Sequence, residues 1–394
     1  MTQAAAEPLI GVINAGSSSL KFSVYEGDRR VLAGQVDGLG THPSAGATDR
    51  DGTAIAPPEF GPAAPQTPSE TLPAVWSWMQ QRLGGRSLAA LGHRVVHGGM
   101  QHSRPARVTP DLLAELEALV PLAPLHEPHN LAPVRMVMGL DPQLPQVACF
   151  DTAFHRTAPD VAQAFALPRA LFDEGVRRYG FHGLSYEYIA AVLPQRAPGI
   201  ARGRVVVAHL GNGCSACALL AGRSVATTMG FTALDGLPMG TRCGALDAGV
   251  VLHLIQQKGL SADALVDLLY RRSGMLGLSG ISSDFRELLE SDDPRARFAL
   301  DVFCYCTARQ IASLAAALEG IDGIVFTAGV GENAAAVRDM ICRRCAWLGV
   351  ELDEDANREN RECISTPDSR VAAYVIRTDE NLMIARHART LVAS

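Results

Sequence analysis

One short pattern occurs twice, half a chain apart, and it limits what this chain can become more than any other feature. Leu9-Ile10-Gly11-Val12-Ile13 reads as a strand, Asn14-Ala15-Gly16-Ser17-Ser18-Ser19 as a polar turn, and Leu20-Lys21-Phe22-Ser23-Val24-Tyr25 as a second, alternating strand. Later Val205-Val206-Val207-Ala208-His209-Leu210 runs through Gly211-Asn212-Gly213 into Cys214 to Leu220, with a second turn at Gly222. The interval from Gly16 to Gly211 is 195 residues in a chain of 394. Matching units at such a spacing indicate one domain plan used twice. A glycine-rich turn lets backbone N–H groups reach phosphate oxygens with no side chain in the way. Any hairpin needs such a residue, so one turn alone would carry little. Two at matching places favour a polyphosphate ligand, and Lys21 then projects from the first hairpin as a candidate phosphate cation.

Strands alternate with helical patterns, which gives an α/β class. Helices are expected near Thr71 to Leu83 and Pro110 to Val120, while residues 41 to 70, rich in Pro, Ala, Gly and Thr, read as a surface excursion with little regular structure. The length suits two domains. A net charge of -6 argues against nucleic acid or a membrane surface as partner. No apolar run approaches a membrane span, and Leu9 to Ile13 reads as a strand, not a leader, so a cytoplasmic location is expected. Nine cysteines include two pairs with metal-like spacing, Cys214–Cys217 and Cys342–Cys345. Odd separation in a strand points the first pair to opposite faces, and buried thiols in a reducing compartment are the better reading.

No G-x-x-x-x-G-K-[ST] run occurs, so the chain is not a P-loop enzyme. Gly329-Val330-Gly331-Glu332-Asn333-Ala334 closes a late strand, with a helix expected from Ala334. It fits G-x-G-x-x-A, and Glu351 follows at the spacing of a dinucleotide fingerprint, which would suit a nicotinamide-linked oxidoreductase. No βαβαβ unit follows, and that reading leaves both hairpins unexplained. A non-enzymatic ATP-binding module is the other alternative. Against it stand three clusters of arginine or histidine among small residues: Gly92-His93-Arg94-Val95-Val96-His97-Gly98-Gly99, Arg178-Tyr179-Gly180-Phe181-His182-Gly183 and Met239-Gly240-Thr241-Arg242-Cys243-Gly244. Small neighbours leave the cationic groups approachable, and arginine suits bidentate contacts with carboxylate or phosphate.

From Ile10 to Ala388 the chain resembles the acetate and propionate kinases. The landmarks, in the family's order, are Val12 to Ser19, Gly92 to Gly99, Pro121 to His126, Phe150 to His155, Phe181-His182-Gly183, His209 to Gly213, Met239 to Arg242, Ser279 to Arg286, Gly329 to Asn333 and Thr378-Asp379-Glu380. The resemblance implies two duplicated domains of the actin-like, sugar-kinase and heat-shock ATPase fold around a central cleft. The first would span 1–154 plus 377–394 and the second 155–376. It implies a homodimer that uses ATP, ADP and Mg²⁺ (or Mn²⁺) and acts on acetate, with propionate as the alternative.

Residue by residue, the resemblance implies metal-linked positions at Asn14 and Glu380. It implies a nucleotide site at Lys21, His209, Leu210, Gly211, Asn212, Gly213, Asp284, Phe285, Arg286, Gly329, Val330, Gly331, Glu332 and Asn333. Arg94 matches the carboxylate-binding arginine, with Val96, Leu125, Phe181 and Ala233 around the acyl group. Asp151 matches an acid/base, and His182 and Arg242 match transition-state stabilisers. A carboxylate substrate is already ionised near neutral pH, so Asp151 is expected to orient an arginine or the metal's hydration shell instead. The chain departs from the family's pattern at Glu127 (usually Asn), Ala226 (Asp), Ala233 (Pro), Cys243-Gly244-Ala245 (Ser-Gly-Asp) and Asn381 (Glu). The turn Ser17-Ser18-Ser19 is closer to acetate kinases than to butyrate kinases.

Overall fold

The computed structural model describes residues 7–16, 19–40, 42–61 and 65–393. Ser17 and Ser18 of the first turn lie outside the described residues. The chain forms two compact units, Met1–Ala153 with Asp379–Ser394, and Phe154–Thr378.

In the first unit the strands are β1 Leu9–Ala15, β2 Leu20–Glu26, β3 Arg29–Asp37, β4 Ser44–Asp49, β5 Ala54–Ile55, β6 Leu88–Val95, β7 Ala106–Arg107 and β8 Gln146–Phe150. They make a sheet ordered β5-β4-β3-β2-β1-β6-β8-β7. β1 pairs antiparallel with β2, Asn14 opposite Lys21, and parallel with β6. In the second unit β9 Arg204–Leu210, β10 Cys214–Leu220, β11 Arg223–Thr227, β12 Gly323–Thr327 and β13 Ala372–Val375 make a sheet ordered β11-β10-β9-β12-β13. Here β9 pairs antiparallel with β10 and parallel with β12. The sequence β3-β2-β1-β6-β8 in one sheet thus has the same pairing plan as β11-β10-β9-β12-β13 in the other. The duplicated hairpin seen in the sequence is the visible part of a duplicated sheet.

Helices cover the sheets by amphipathic spacing. In the helix Pro294–Ala317, Ala296, Ala299, Leu300, Phe303, Thr307, Ile311 and Leu314 are buried, a three-to-four-residue period. Its start is fixed by Pro294 in the first turn and by the Asp293 carboxylate, which accepts from Arg295 N. Tyr186, Ile189 and Leu193 of the helix Gly183–Arg196 pack with Val205, Val207, Cys217 and Leu219.

The excursion at 41 to 70 is more ordered than its composition suggests. Ser44–Asp49 adds to β3 and Ala54–Ile55 to β4, and a helix starts at Pro68. Trp78 Nε1 pins the segment by donating to Ala56 O at 3.0 Å. The glycine site at 329–333 is also not a loop. A short helix, Ala328–Asn333, occupies it before the helix Ala335–Arg344, because Glu332 Oε1 accepts from Ala328 N at 2.8 Å and closes the turn.

The last helix, Glu380–Ala393, returns the chain to the first unit. Gly92 on β6 is required for that contact: a Cβ there would collide with Ile384 Cγ2 and lie 3.3 Å from Ile384 O. Gly92→Ala is therefore expected to destabilise the first unit by about 1–3 kcal/mol, the usual effect of overpacking. The shift in its urea unfolding midpoint measures this.

Candidate active site

In the first unit, parallel β1, β6 and β8 deliver Asn14, Arg94 and Asp151 from their carboxyl ends, and the helix Glu380–Ala393 adds Glu380. Arg94 donates from Nε (3.0 Å) and Nη2 (2.5 Å) to Asp151 Oδ2. Its Nη1 lies 3.5 Å from Asn14 Oδ1, and Asn14 Nδ2 donates to Glu380 Oε2 at 3.3 Å and to Asn381 Oδ1 at 3.5 Å. Burial works against the Arg94 charge, but Asp151 and Glu380 more than offset it, so its pKa rises. Burial also pushes the Asp151 carboxyl up, opposed by the Arg94 guanidinium. Asp151 Oδ1 is buried with no partner among the described residues. The result is a permanently charged guanidinium turned edge-on by a buried carboxylate, with oxygen donors beside it.

Lys21 is exposed on β2, opposite Asn14. Val96 is buried and its N–H donates to Asn130 Oδ1 at 2.8 Å, while Asn130 Nδ2 donates to Ala15 O. Leu125 is half-buried. His93 and His97 are not approachable as their small neighbours suggested. Both are fully buried, and His93 Nε2 pairs with Gln146 Oε1 across β6 and β8. Strand alternation turns His93 inward where it turns Arg94 outward.

In the second unit, His182 and Arg242 flank Gly213. A Cβ on Gly213 would lie 3.2 Å from His182 Nε2 and 3.9 Å from Arg242 Nη1. The Arg242 guanidinium is held by the Ala233 carbonyl at 3.0 Å. His182 stacks on His209, with centroids 4.2 Å apart at 19°. His209 Nδ1 lies 2.8 Å from Ser185 Oγ. Phe181 is buried.

A cavity of about 560 Å³ opens beside these residues, lined by Gly211, Asn212, Asp284, Phe285, Arg286, Gly329, Val330 and Asn333, with Ser283, Leu289 and Ala334. Its size falls in the range of small-molecule sites. Asp284 caps the helix Phe285–Glu290 and pairs with Arg286 at 2.6 Å. His209, Leu210, Gly213, Gly331 and Glu332 do not line it. Leu210 and Gly331 are buried, and Glu332 turns back to Ala328 N and to Thr378 N at 3.2 Å.

Sequence reasoning gave no role to Asn130, which clamps β1 to the segment after β6, or to Ser215 and Ser185, which hold the two histidines. Asn130 stands one helical turn after the departure at Glu127, the one signal that pointed there. Glu127 is fully buried, accepts from His97 N at 3.1 Å through Oε2, and leaves Oε1 without a partner among the described residues.

One unit thus offers an oriented arginine with hard oxygen donors, and the other a glycine-lined cavity beside an arginine and a histidine. Each of these arrangements suits an anionic ligand. The chain belongs to the acetokinase family, whose model matches residues 9–386. It is 52% identical over 387 residues to an acetate kinase of Rhodopseudomonas palustris, covering 95% of this chain and 96% of that one. It is 50% identical to an acetate kinase of Rhizobium meliloti, covering 97% of this chain and 98% of that one. Among solved structures it is similar to a propionate kinase from Francisella tularensis (33% identity, TM-score 0.89, 97% and 99% of the two chains). It is also similar to the acetate kinase of Porphyromonas gingivalis (35%, TM-score 0.86, 98% and 100%).

Glu127 generates a pH prediction. Burial raises its pKa to about 8; the His97 N–H and Arg94 oppose this, and Asp151 adds to it. Between the unfolded value near 4.5 and about 8 the folded state holds the extra proton, so stability falls as pH rises through that window. Glu127→Gln removes this penalty. The variant is expected to exceed the wild type by up to a few kcal/mol at pH 8.5 and to lose that advantage towards pH 4.5, as read from urea midpoints at the two pH values.

Proposed function

We propose that the protein is an acetate kinase, transferring the γ-phosphoryl group of ATP reversibly to the carboxylate of acetate to give acetyl phosphate and ADP. The observation that carries the reading is Arg94, held charged and edge-on by Asp151, in a chain half-identical to proteins named acetate kinase. Its free edge suits a carboxylate. The acceptor is already an anion near neutral pH, so the obstacle is repulsion and alignment, not proton removal. Asp151 therefore acts by orienting Arg94. Arg242 and His182 neutralise the equatorial oxygens of the transferring group, and the Gly211–Gly213 turn with the adjoining cavity takes the nucleotide.

The amide and carboxylate oxygens of Asn14 and Glu380 are hard donors that suit Mg²⁺ or Mn²⁺. Among the described residues no cluster of three or more His, Cys, Asp or Glu could hold a metal, so ligands would also come from water and phosphate. Asn14 and Glu380 would hold the ion, which would supply positive charge to the diphosphate leaving group. The helix Ala248–Gln256 has no buried residue, and Val250, Leu252 and Ile255 are exposed, an apolar surface that supports a homodimer. Among the described residues no helix is long and apolar enough to cross a membrane. All nine cysteines are thiols, which supports a cytoplasmic location.

ADP release coupled to acetate tests the reading. Arg94→Ala and Arg242→Ala are each expected to lower kcat/KM by about 10²-fold or more, the cost of a contact made mainly in the transition state; Arg242→Ala is expected to melt normally and Arg94→Ala at a lower temperature, since buried Asp151 loses its partner. Activity within a few-fold of wild type would remove the assigned role. Ala233, where the family usually has proline, bears on acyl choice. Propionate is expected to approach acetate in kcat/KM, with butyrate behind, since one methylene in an apolar site is worth roughly 1–3 kcal/mol. Ala233→Pro is expected to shift the ratio towards acetate, and an unchanged ratio counts against the assignment.

A further inference from the structure

His182 adopts φ 59°, a left-handed conformation that costs a side-chain-bearing residue free energy and persists only where neighbours hold it. It stands directly before the helix Gly183–Arg196, and no side-chain cap is made there. A buried imidazole meets the turn that leads into it. His155 Nε2 lies 2.9 Å from the carbonyl oxygen of Phe181, one residue before His182. The turn is pressed onto the same ring: a Cβ on Gly180 would lie 2.7 Å from His155 Cδ2 and 2.5 Å from Thr227 Cγ2.

We propose that His155 is a positioning residue for His182, fixing the Gly180–His182 turn through the Phe181 carbonyl so that the His182 imidazole keeps its place beside Gly213. This rests on the transition-state role given to His182 above.

The shortest contacts give one arrangement, although the Cys217 sulfur also lies 3.8 Å from His155 Nδ1 and 3.7 Å from Ala218 O. A carbonyl oxygen only accepts, so Nε2 carries the hydrogen. Burial pushes the His155 pKa down to about 4, the ring is neutral, and Nδ1 is an acceptor. Ser224 Oγ, 2.9 Å away, donates to it. With its one hydroxyl hydrogen on Nδ1, Ser224 Oγ can only accept from the Cys217 thiol, whose sulfur lies 3.3 Å away. Cys217, Ser224 and His155 form a directed chain that ends on the backbone of the turn. A second path leads to the same imidazole. The His155 ring meets Tyr186 edge-on at 5.6 Å, the Tyr186 hydroxyl bonds Ser215 Oγ, and Ser215 Oγ lies 2.8 Å from His182 Nδ1. With Nδ1 engaged, His182 presents Nε2 to Gly213.

The test uses the full-length protein with His155→Met, which keeps apolar volume without the donor, and His155→Gln, whose amide nitrogen can reach Phe181 O. His155→Met is expected to lower kcat at least tenfold with KM for ATP and acetate within about twofold, since misplacing a transition-state group acts on kcat. His155→Gln is expected to remain within about threefold of wild type, and in a His182→Ala background His155→Met is expected to cost less than about twofold more. In wild type, ¹⁵N imidazole shifts are expected to show His155 as the Nε2–H tautomer throughout the working pH range. Full kcat in His155→Met, an equal loss in both backgrounds, or an Nδ1–H tautomer overturns the proposal. Full kcat in His182→Ala overturns the role of His182 and this inference with it. Loss in His182→Ala with an independent His155 effect overturns the positioning alone. Should His155→Met not fold, the tautomer and the His155→Gln kinetics decide.

Discussion

Two strands govern everything else. β1 is buried along its whole length and β9 from Val205 to Leu210, and each is paired antiparallel on one side and parallel on the other. A strand covered on both faces has no room for a charged side chain along its run, so polar groups leave the sheet only where the strand ends. The parallel partners end on the same side, which gathers their carboxyl ends. In the first sheet those ends carry Asn14, Arg94 and Asp151; in the second they carry His209, the Gly211–Gly213 turn and the helix after β12. The chemistry of each unit sits where its sheet stops.

That constraint also explains what the sequence disclosed. The hairpins were legible because strand, turn and strand are contiguous, and alternation is a local signal. The pairing of Arg94 with Asp151 was not, because it depends on the parallel register of β6 with β8 across the helices Pro110–Ala118 and Glu127–Leu140. Only the resemblance to a family suggested roles for both. His93 and His97 show the limit of reading by composition. Glycine neighbours do make a side chain accessible, but on a strand the next residue faces the opposite way, and His93 is turned inward. The segment 41 to 70 misled for a related reason. Edge strands need only backbone partners, so a run poor in large apolar residues can still pair with β3 and β4.

In each unit the candidate functional side chains are held by polar groups more than by packing. Arg94 is oriented by a carboxylate, Arg242 by a backbone carbonyl, and His182, His209 and His155 each by a serine hydroxyl. Directional bonds fix a ring or a guanidinium plane, where apolar contact would leave it free to rotate. The cost is burial of groups that water would otherwise solvate, and Glu127, with one oxygen unpartnered, shows that the cost is not fully recovered.

The closing helix has a consequence for synthesis. β1 to β8 leave the ribosome first, yet the helix that packs on Gly92 and brings Glu380 to Asn14 belongs to residues 380–393. The whole second unit is translated in between. At ordinary elongation rates of roughly 5–20 residues per second, the first sheet waits about 10–45 s without this helix. During that interval Asn14 has no Glu380 to meet. The Asn14–Glu380 contact of the proposed site thus forms only after the second unit has been translated.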